Sequence, residues 1–544
     1  MNRQKKMSAL ILVSMLCHAN HETQRTLDEK IGQIFAIAVP ISSPPRVLAK
    51  LCATINTYHI GSVVLDRTGT MLQEINVINY INQHCTIKPL IAQDLENGLC
   101  MRLYDAPRFP KTVTCGAIQD NNLIFNMGQE IGYECKLLGI DINLAPVVDI
   151  IDNNQSIIRE RAYGKSISNV TQKAAAFIDG IRSQNVYTCL KHFPGIGNTS
   201  NDPHLALPVL TNNRQQLNEH ELYPFARLAK HSPCIMSAHV QVPAYDNRNF
   251  YSATLSQTLI KNVLKEELGF QGLTITDALR MEALTNHFGS QALIVESFNA
   301  GHDILLFPPD IETATNAIKQ AIQTGIITQA ALDNRVEKIL QTKELLKTAT
   351  KATIQPDIYA RIHSPKAYNL KKKLYQAALT LLENSSSILP LAPNTKIAYV
   401  QIGNSYNSIL ATQLHDYYPE FTSIILDSTP RGCDVNDILY LTQDSDIAII
   451  VLFNVISDST LNFGIAPTSS MIIERLAHNK KVILVICGLP YCLKLFEDIP
   501  TIIMAYEDDP DAQEAAAQTI TGSLIPSGKL PVTISSKFCV GAGA

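Results

Sequence analysis

The chain has 544 residues, too many for one hydrophobic core, so two or three domains are expected. Charged residues make up 17%, the net charge is −4 and no basic tract is present, which argues against nucleic acid as a partner. Trp is absent, so any aromatic face stacked on a ligand must come from Tyr or Phe. The twelve cysteines form no CxxC pair, which argues against a structural zinc site. Cys189, Cys234 and Cys487 sit inside apolar runs, as small buried hydrophobes with free thiols.

At the N-terminus Arg3, Lys5 and Lys6 precede an apolar run from Ala9 to Cys17, with Ala19 near a cleavage position. Residues 1–20 therefore read as a signal peptide, and export to the periplasm or cell envelope is the expectation. The alternative is a mildly apolar terminus of a cytoplasmic protein. Cys17 raises a lipid anchor, although Leu16 before it is larger than the small residue such sites require.

Eight short apolar runs follow before residue 310: Ile34–Val39, Ser62–Leu65, Leu90–Gln93, Ile142–Val148, Thr188–Leu190, Ile235–Ala238, Leu273–Thr276 and Ile304–Phe307. Helical patterns separate them. Leu123, Met127, Ile131 and Cys135 form one stripe. Ser256 caps a helix with Leu259, Ile260, Val263, Leu264 and Leu268 inward, and Gly269 ends it. Strands apolar on both faces and alternating with helices predict parallel pairing and a (β/α)8 TIM-type barrel over 21–348. An open doubly wound sheet is the runner-up.

The segment 349–376, with Pro356 and Pro365, reads as a linker. A second domain over 377–544 carries strands Ile397–Ile402, Ser423–Leu426, Ile447–Phe453, Val482–Cys487 and Ile502–Ala505, with helices such as Ser408–Leu414 and Ser469–Ala477 between them. Five parallel strands predict an α/β/α sandwich. Its strand ends carry Asp427, Asn454 and Glu507, and no GxGxxG or Walker pattern supports nucleotide binding. The fold class is thus α/β throughout, barrel first and sandwich second.

Asp66, Asp94, Asp149, Lys191, His192, His239 and Asp277 all fall at C-terminal ends of barrel strands, which converge on one mouth. Asp277 at the lip of strand seven is placed to attack an electrophilic carbon, or to cap the next helix. Asp202 and His204 flank Pro203 in a polar loop after strand five. An imidazole there can give and take a proton, and a neighbouring carboxylate fixes its tautomer. Lys191, His192, Arg102 and Arg161 are donors, and Asp94 is an acceptor, of the kind that grips hydroxyls.

KHFPGIGNTSNDPH, from Lys191 to His204, resembles the KHFPGHG…DSH signature of glycoside hydrolase family 3, and in particular of its bacterial β-N-acetylglucosaminidases. The other blocks fall in order between about residues 27 and 535. Asp94-Leu95-Glu96 resembles D-x-E-G-G-x-V-x-R, ending at Arg102. Asn143 to Asp149 matches N-x-A-P-V-x-D, and Arg161 to Gly164 resembles R-S-F-G. Met236 to His239 resembles M-T-A-H, and Thr276 to Met281 resembles the nucleophile block. Ile388 to Leu391 is similar to LLPL, and Ser527 to Pro531 matches SGKLP. Ile196, Pro203 and Asn97 stand where the family has His, Ser and Gly.

The resemblance implies that Asp277 is a nucleophile and His204, paired with Asp202, the acid/base. It implies that Asp94, Arg102, Arg161, Lys191 and His192 bind the sugar at the innermost subsite. The implied activity is a retaining, exo-acting β-N-acetylhexosaminidase on muropeptides or related glycans, in peptidoglycan turnover, without cofactor, metal or obligate protein partner. A phosphorylase or β-glucosidase of the same family is the alternative. A sugar-binding barrel without turnover is a further one. A metal-dependent hydrolase on Lys191, His239 and Asp277 would need a His-x-His that Phe35–Val39 lacks.

Overall fold

The computed structural model describes residues 25–199, 207–348, 353–355, 357–384, 387–404, 408–432 and 434–544. The leader reading at residues 1–20, and Asp202, Pro203 and His204, lie outside the described residues.

The eight expected strands are β1 (Phe35–Pro40), β2 (Ser62–Asp66), β3 (Leu90–Gln93), β4 (Ile142–Asn143), β5 (Tyr187–Phe193), β6 (Cys234–Ser237), β7 (Leu273–Thr276) and β8 (Leu305–Leu306). All pair in parallel in the order β7-β6-β5-β4-β3-β2-β1-β8. Ile275 of β7 bridges Ile304 just before β8, which closes the sheet into a barrel. Closure buries each strand on both faces, so the strands read as continuous apolar runs rather than as alternation.

Two expected elements differ in detail. The strand expected over Ile142–Val148 is regular only as far as Asn143. Pro146 has no N–H for a ladder, but the stretch stays bonded to β5: Cys189 N donates to the Ala145 carbonyl, Lys191 N to the Pro146 carbonyl and Val148 N to the Lys191 carbonyl. This irregular pairing lays Asp149 against His192 of β5. The helix Thr258–Glu267 does bury Leu259, Ile260, Val263 and Leu264. Its turns are wider than expected, with Leu268 N donating to the Val263 carbonyl.

The second sheet has the strands β9 (Thr380–Asn384), β10 (Ile397–Ile402), β11 (Phe421–Leu426), β12 (Ile447–Val455), β13 (Lys481–Gly488) and β14 (Thr501–Met504). Their order is β11-β10-β12-β13-β14-β9. Five strands are parallel, and β9 adds an antiparallel edge that the sequence pattern missed. Val400, Ile450 and Leu484 on one face join the core that includes the barrel. Tyr399, Ile449 and Val485 on the other pack against Ala512, Ala515 and Ala516 of the helix Pro510–Thr521. Alternation along each strand thus splits the apolar side chains between the two layers. The stretch read as linker is partly helical, over Ile358–Ile362 and Pro365–Ala378.

The two units are stitched at the barrel mouth. Lys165 N donates to the Pro531 carbonyl at 2.9 Å, and Lys529 N to the Ala117 carbonyl at 3.0 Å. Gly164, at φ +127°, leaves no room for a Cβ, which would lie 2.2 Å from the Pro531 oxygen. The SGKLP segment therefore rests directly on the turn that carries Arg161.

Candidate active site

Three neighbouring strands build a charged clamp. Lys191, buried in β5, donates to Asp94 Oδ1 at 2.7 Å and lies 2.9 Å from Glu96 Oε1. Arg102 Nη2 reaches Asp94 Oδ2 at 2.9 Å. Arg161 forks onto Glu96, with Nε at 3.0 Å from Oε2 and Nη2 at 2.5 Å from Oε1. The loop after β3 supplies both carboxylates, and Gly69 N donating to the Arg102 carbonyl holds its far end.

Burial opposes ionisation of Asp94, yet the Lys191 and Arg102 cations hold its carboxyl below the usual range. Glu96 is lowered further, against its burial, by Arg161 and Lys191. Lys191 is raised despite burial because Asp94 and Glu96 face it. The clamp is thus fully charged over ordinary pH, with cations and anions fixed before any ligand arrives.

His192 turns away from this cluster. Its Nδ1 is 2.8 Å from Asp149 Oδ2, and Asp149 Oδ1 accepts from Ile196 N at 2.8 Å. Ile196, the apolar residue in a motif position that otherwise takes His, keeps a site function through its backbone.

Asp277 follows β7, half-buried. Its N–H donates to the Ser237 carbonyl, and its Oδ1 accepts from Ala278 N at 2.7 Å. Burial acts to raise its pKa, but His239, His192, the Ala278 N–H and Lys191 together keep it lowered. An anionic carboxylate with one oxygen tied to the backbone is oriented for attack and is not engaged as a simple helix cap. Asp66 belongs to the same mouth, 3.4 Å from Arg280 Nη2.

The second domain reaches the clamp from one side. A cavity of about 420 Å³ is lined by Glu96, Asn97, Arg108, Lys111, Glu160, Arg161 and Glu507. Glu507 accepts from Lys111 N at 2.8 Å and Thr114 Oγ1 at 2.7 Å. Ser457 donates to Glu160 at 2.8 Å and accepts from Arg159 at 2.9 Å. The sandwich is therefore a wall of this cavity as well as a support.

Of the expected residues, Asp94, Arg102, Arg161 and Lys191 form one network, and His192 and Asp277 lie beside it. Sequence reasoning gave no role to Glu96, although it sits in the same block as Asp94. Asp149, a strand tip in the sequence, proves to be the partner of His192. The ten cysteines among the described residues are free.

The glycosyl hydrolase family 3 N-terminal domain profile matches residues 26–342, and the profile of the family's C-terminal domain matches 379–538. The chain belongs to glycoside hydrolase family 3. It is 26% identical to beta-hexosaminidase A of Pseudoalteromonas piscicida, over 89% of this chain and 91% of that one. A family 3 beta-N-acetylglucosaminidase from Paenibacillus sp. str. FPU-7 superposes with a TM-score of 0.79 at 25% identity, covering 94% of this chain and 99% of that one. A beta-glucoside phosphorylase shares the fold at a TM-score of 0.81 and 23% identity, covering 95% and 96%. The chain is thus a glycoside hydrolase with the two-domain architecture of the family.

Proposed function

We propose that this family 3 enzyme is a retaining, exo-acting β-N-acetylhexosaminidase that removes terminal β-linked N-acetylglucosamine from muropeptides or related glycans. The observation that carries the reading is the ionised, backbone-tethered Asp277 carboxylate beside Lys191 and His192. The names of the relatives from Pseudoalteromonas and Paenibacillus support the sugar.

In this reading the charged clamp holds the terminal sugar. Asp94 accepts from its hydroxyls, while Lys191, Arg102, Arg161 and His192 present donors. The free Asp277 oxygen attacks the anomeric carbon as His204 gives its proton to the departing glycosidic oxygen. Asp202 stabilises the imidazolium and then the neutral ring takes a proton from water, which opens the glycosyl-Asp277 ester and returns the carboxylate. The basic, apolar N-terminal pattern supports action in the periplasm or envelope.

Purified full chain assayed on p-nitrophenyl β-N-acetylglucosaminide and on the β-glucoside, with and without phosphate, tests the proposal. Release from the N-acetyl substrate alone, independent of phosphate and abolished in Asp277→Ala, is the expected result. Phosphate-dependent release would move the reading to a phosphorylase, preference for the glucoside to a β-glucosidase, and sugar binding without turnover to a non-catalytic barrel.

A further inference from the structure

A chain of side chains runs from the barrel interior to the peptide that carries Asp277. His302 is buried, with Nδ1 3.0 Å from the Ser297 carbonyl and Nε2 2.9 Å from Ser237 Oγ. Ser237 Oγ is 2.9 Å from Thr254 Oγ1, and Thr254 Oγ1 is 2.9 Å from His239 Nδ1. His239 Nε2 is 3.0 Å from the Ala278 carbonyl. Ala278 is the same residue whose N–H tethers the Asp277 carboxylate. All four side chains are buried.

The protons along this chain can be counted. A carbonyl only accepts, so His302 Nδ1 donates to Ser297. Burial pulls His302 down to about 3, so its ring is neutral and Nε2 accepts the Ser237 hydroxyl proton. Thr254 then has one proton and three close acceptors: Ser237 Oγ, the Ala238 carbonyl at 3.0 Å and His239 Nδ1. If that proton goes to His239, two buried oxygen pairs at hydrogen-bond distance hold none. If it goes to either oxygen, His239 Nδ1 must itself donate to Thr254. His239 Nε2 already donates to the Ala278 carbonyl. The arrangement that leaves fewest close pairs without a proton has one on each ring nitrogen.

We propose that His239 is a positioning residue held as a buried imidazolium by the Thr254–Ser237–His302 relay, its fixed charge set beside the Asp277 carboxylate. The assignment of the relay rests on these contacts. Its consequence for the reaction rests on Asp277 being the nucleophile. Esterification of Asp277 removes the negative charge that His239 faces, and release of the sugar restores it. A fixed cation there favours the carboxylate as leaving group, so its main effect is on the second half of the cycle. Among the described residues, Lys191 and His192 from β5 also act on the same carboxylate.

Full-length protein carrying ¹⁵N-labelled histidine allows the ring nitrogens to be read directly by long-range proton–nitrogen correlation. The signals of His239 are those lost in His239→Gln. At pH 8, where a free imidazole of pKa ~6.5 is about 97% neutral, both His239 nitrogens are expected to be protonated. Thr254→Val is expected to leave one nitrogen bare, and Thr254→Ser to keep both protonated. In the same variants, Thr254→Val is expected to lower kcat about tenfold with a parallel fall in KM, as the covalent intermediate accumulates, and Thr254→Ser to restore both. A neutral His239 in the unmodified protein overturns the proposal without need of any variant, and a doubly protonated ring in Thr254→Val overturns the relay as its cause. Should no covalent intermediate form on Asp277 while both ring nitrogens remain protonated, the reaction reading fails and the charge assignment stands.

Discussion

The molecule contains two sheets of mostly parallel strands, and only one of them gathers chemistry at its strand ends. In the barrel, β3, β5 and β7 deliver Asp94, Lys191 and Asp277 to one mouth, and β6 delivers His239. In the second sheet β10, β12 and β14 end far more quietly, and Glu507 after β14 is turned to the barrel, where it binds Lys111 and Thr114. The difference is closure. A closed sheet aims every strand end at one axis, so single residues from distant parts of the sequence meet. An open sheet spreads its ends along a line, and here its contribution is to brace a loop of the other domain.

The largest expected effect comes from the barrel mouth. Asp277→Ala should reduce kcat/KM on the aryl N-acetylglucosaminide by roughly 10⁴-fold or more, because no other carboxylate replaces the attacking oxygen. Asp94→Ala leaves the buried Lys191 with Glu96 alone and Arg102 without its carboxylate. A fall of roughly 10²–10³-fold in kcat/KM is expected, as when one preorganised group is removed from a charged site. Residual activity of either variant near the unmodified level would dissolve the contrast between the two sheets.

Changes at the brace should be smaller and should act through stability. Glu507→Ala strands Lys111 N and Thr114 Oγ1 in a buried interface and is expected to cost about 1–3 kcal/mol in denaturant unfolding. Activity of the folded fraction should fall far less than in Asp94→Ala. An equal loss of turnover would place Glu507 among the groups that touch substrate.

A pH effect sharpens the same distinction beneath the mouth. Glu74 is buried beside Gln93, and burial raises its carboxyl to about 7. Its unfolded value lies near 4.5, so the native state holds the proton more tightly between these limits. The stability this gives is complete below about 4.5 and is lost as pH rises through about 7. Glu74→Gln should therefore be less sensitive to pH, by roughly 2–4 kcal/mol between pH 4 and 8 in urea titrations. Parallel titration curves for the two proteins would contradict this.

The barrel was legible because strands buried on both faces leave unbroken apolar runs, with charge only at their ends. β9 was not, since Thr380–Asn384 is an antiparallel edge whose last residues are half exposed and which follows a helix directly. The shortening of β4 could have been read from Pro146, which cannot donate in a ladder. Asp94, Lys191 and Arg161 were visible by position and by resemblance. Glu96 was not assigned because a second carboxylate two residues on in a loop has no periodicity to mark it. The relay joins residues 237, 239, 254 and 302, and nothing local in the sequence relates Ser237 to His302 across 65 positions.

The proposed reaction requires Asp277 to form a bond to the sugar. Incubation with a 5-fluoro N-acetylglucosaminyl fluoride, followed by intact mass and peptide mapping, tests it most directly. One sugar adduct per chain is expected, on the peptide that carries Asp277 and on Asp277 within it, with loss of activity in step. An adduct on another carboxylate, or turnover with inversion at the anomeric carbon and no adduct, would contradict it.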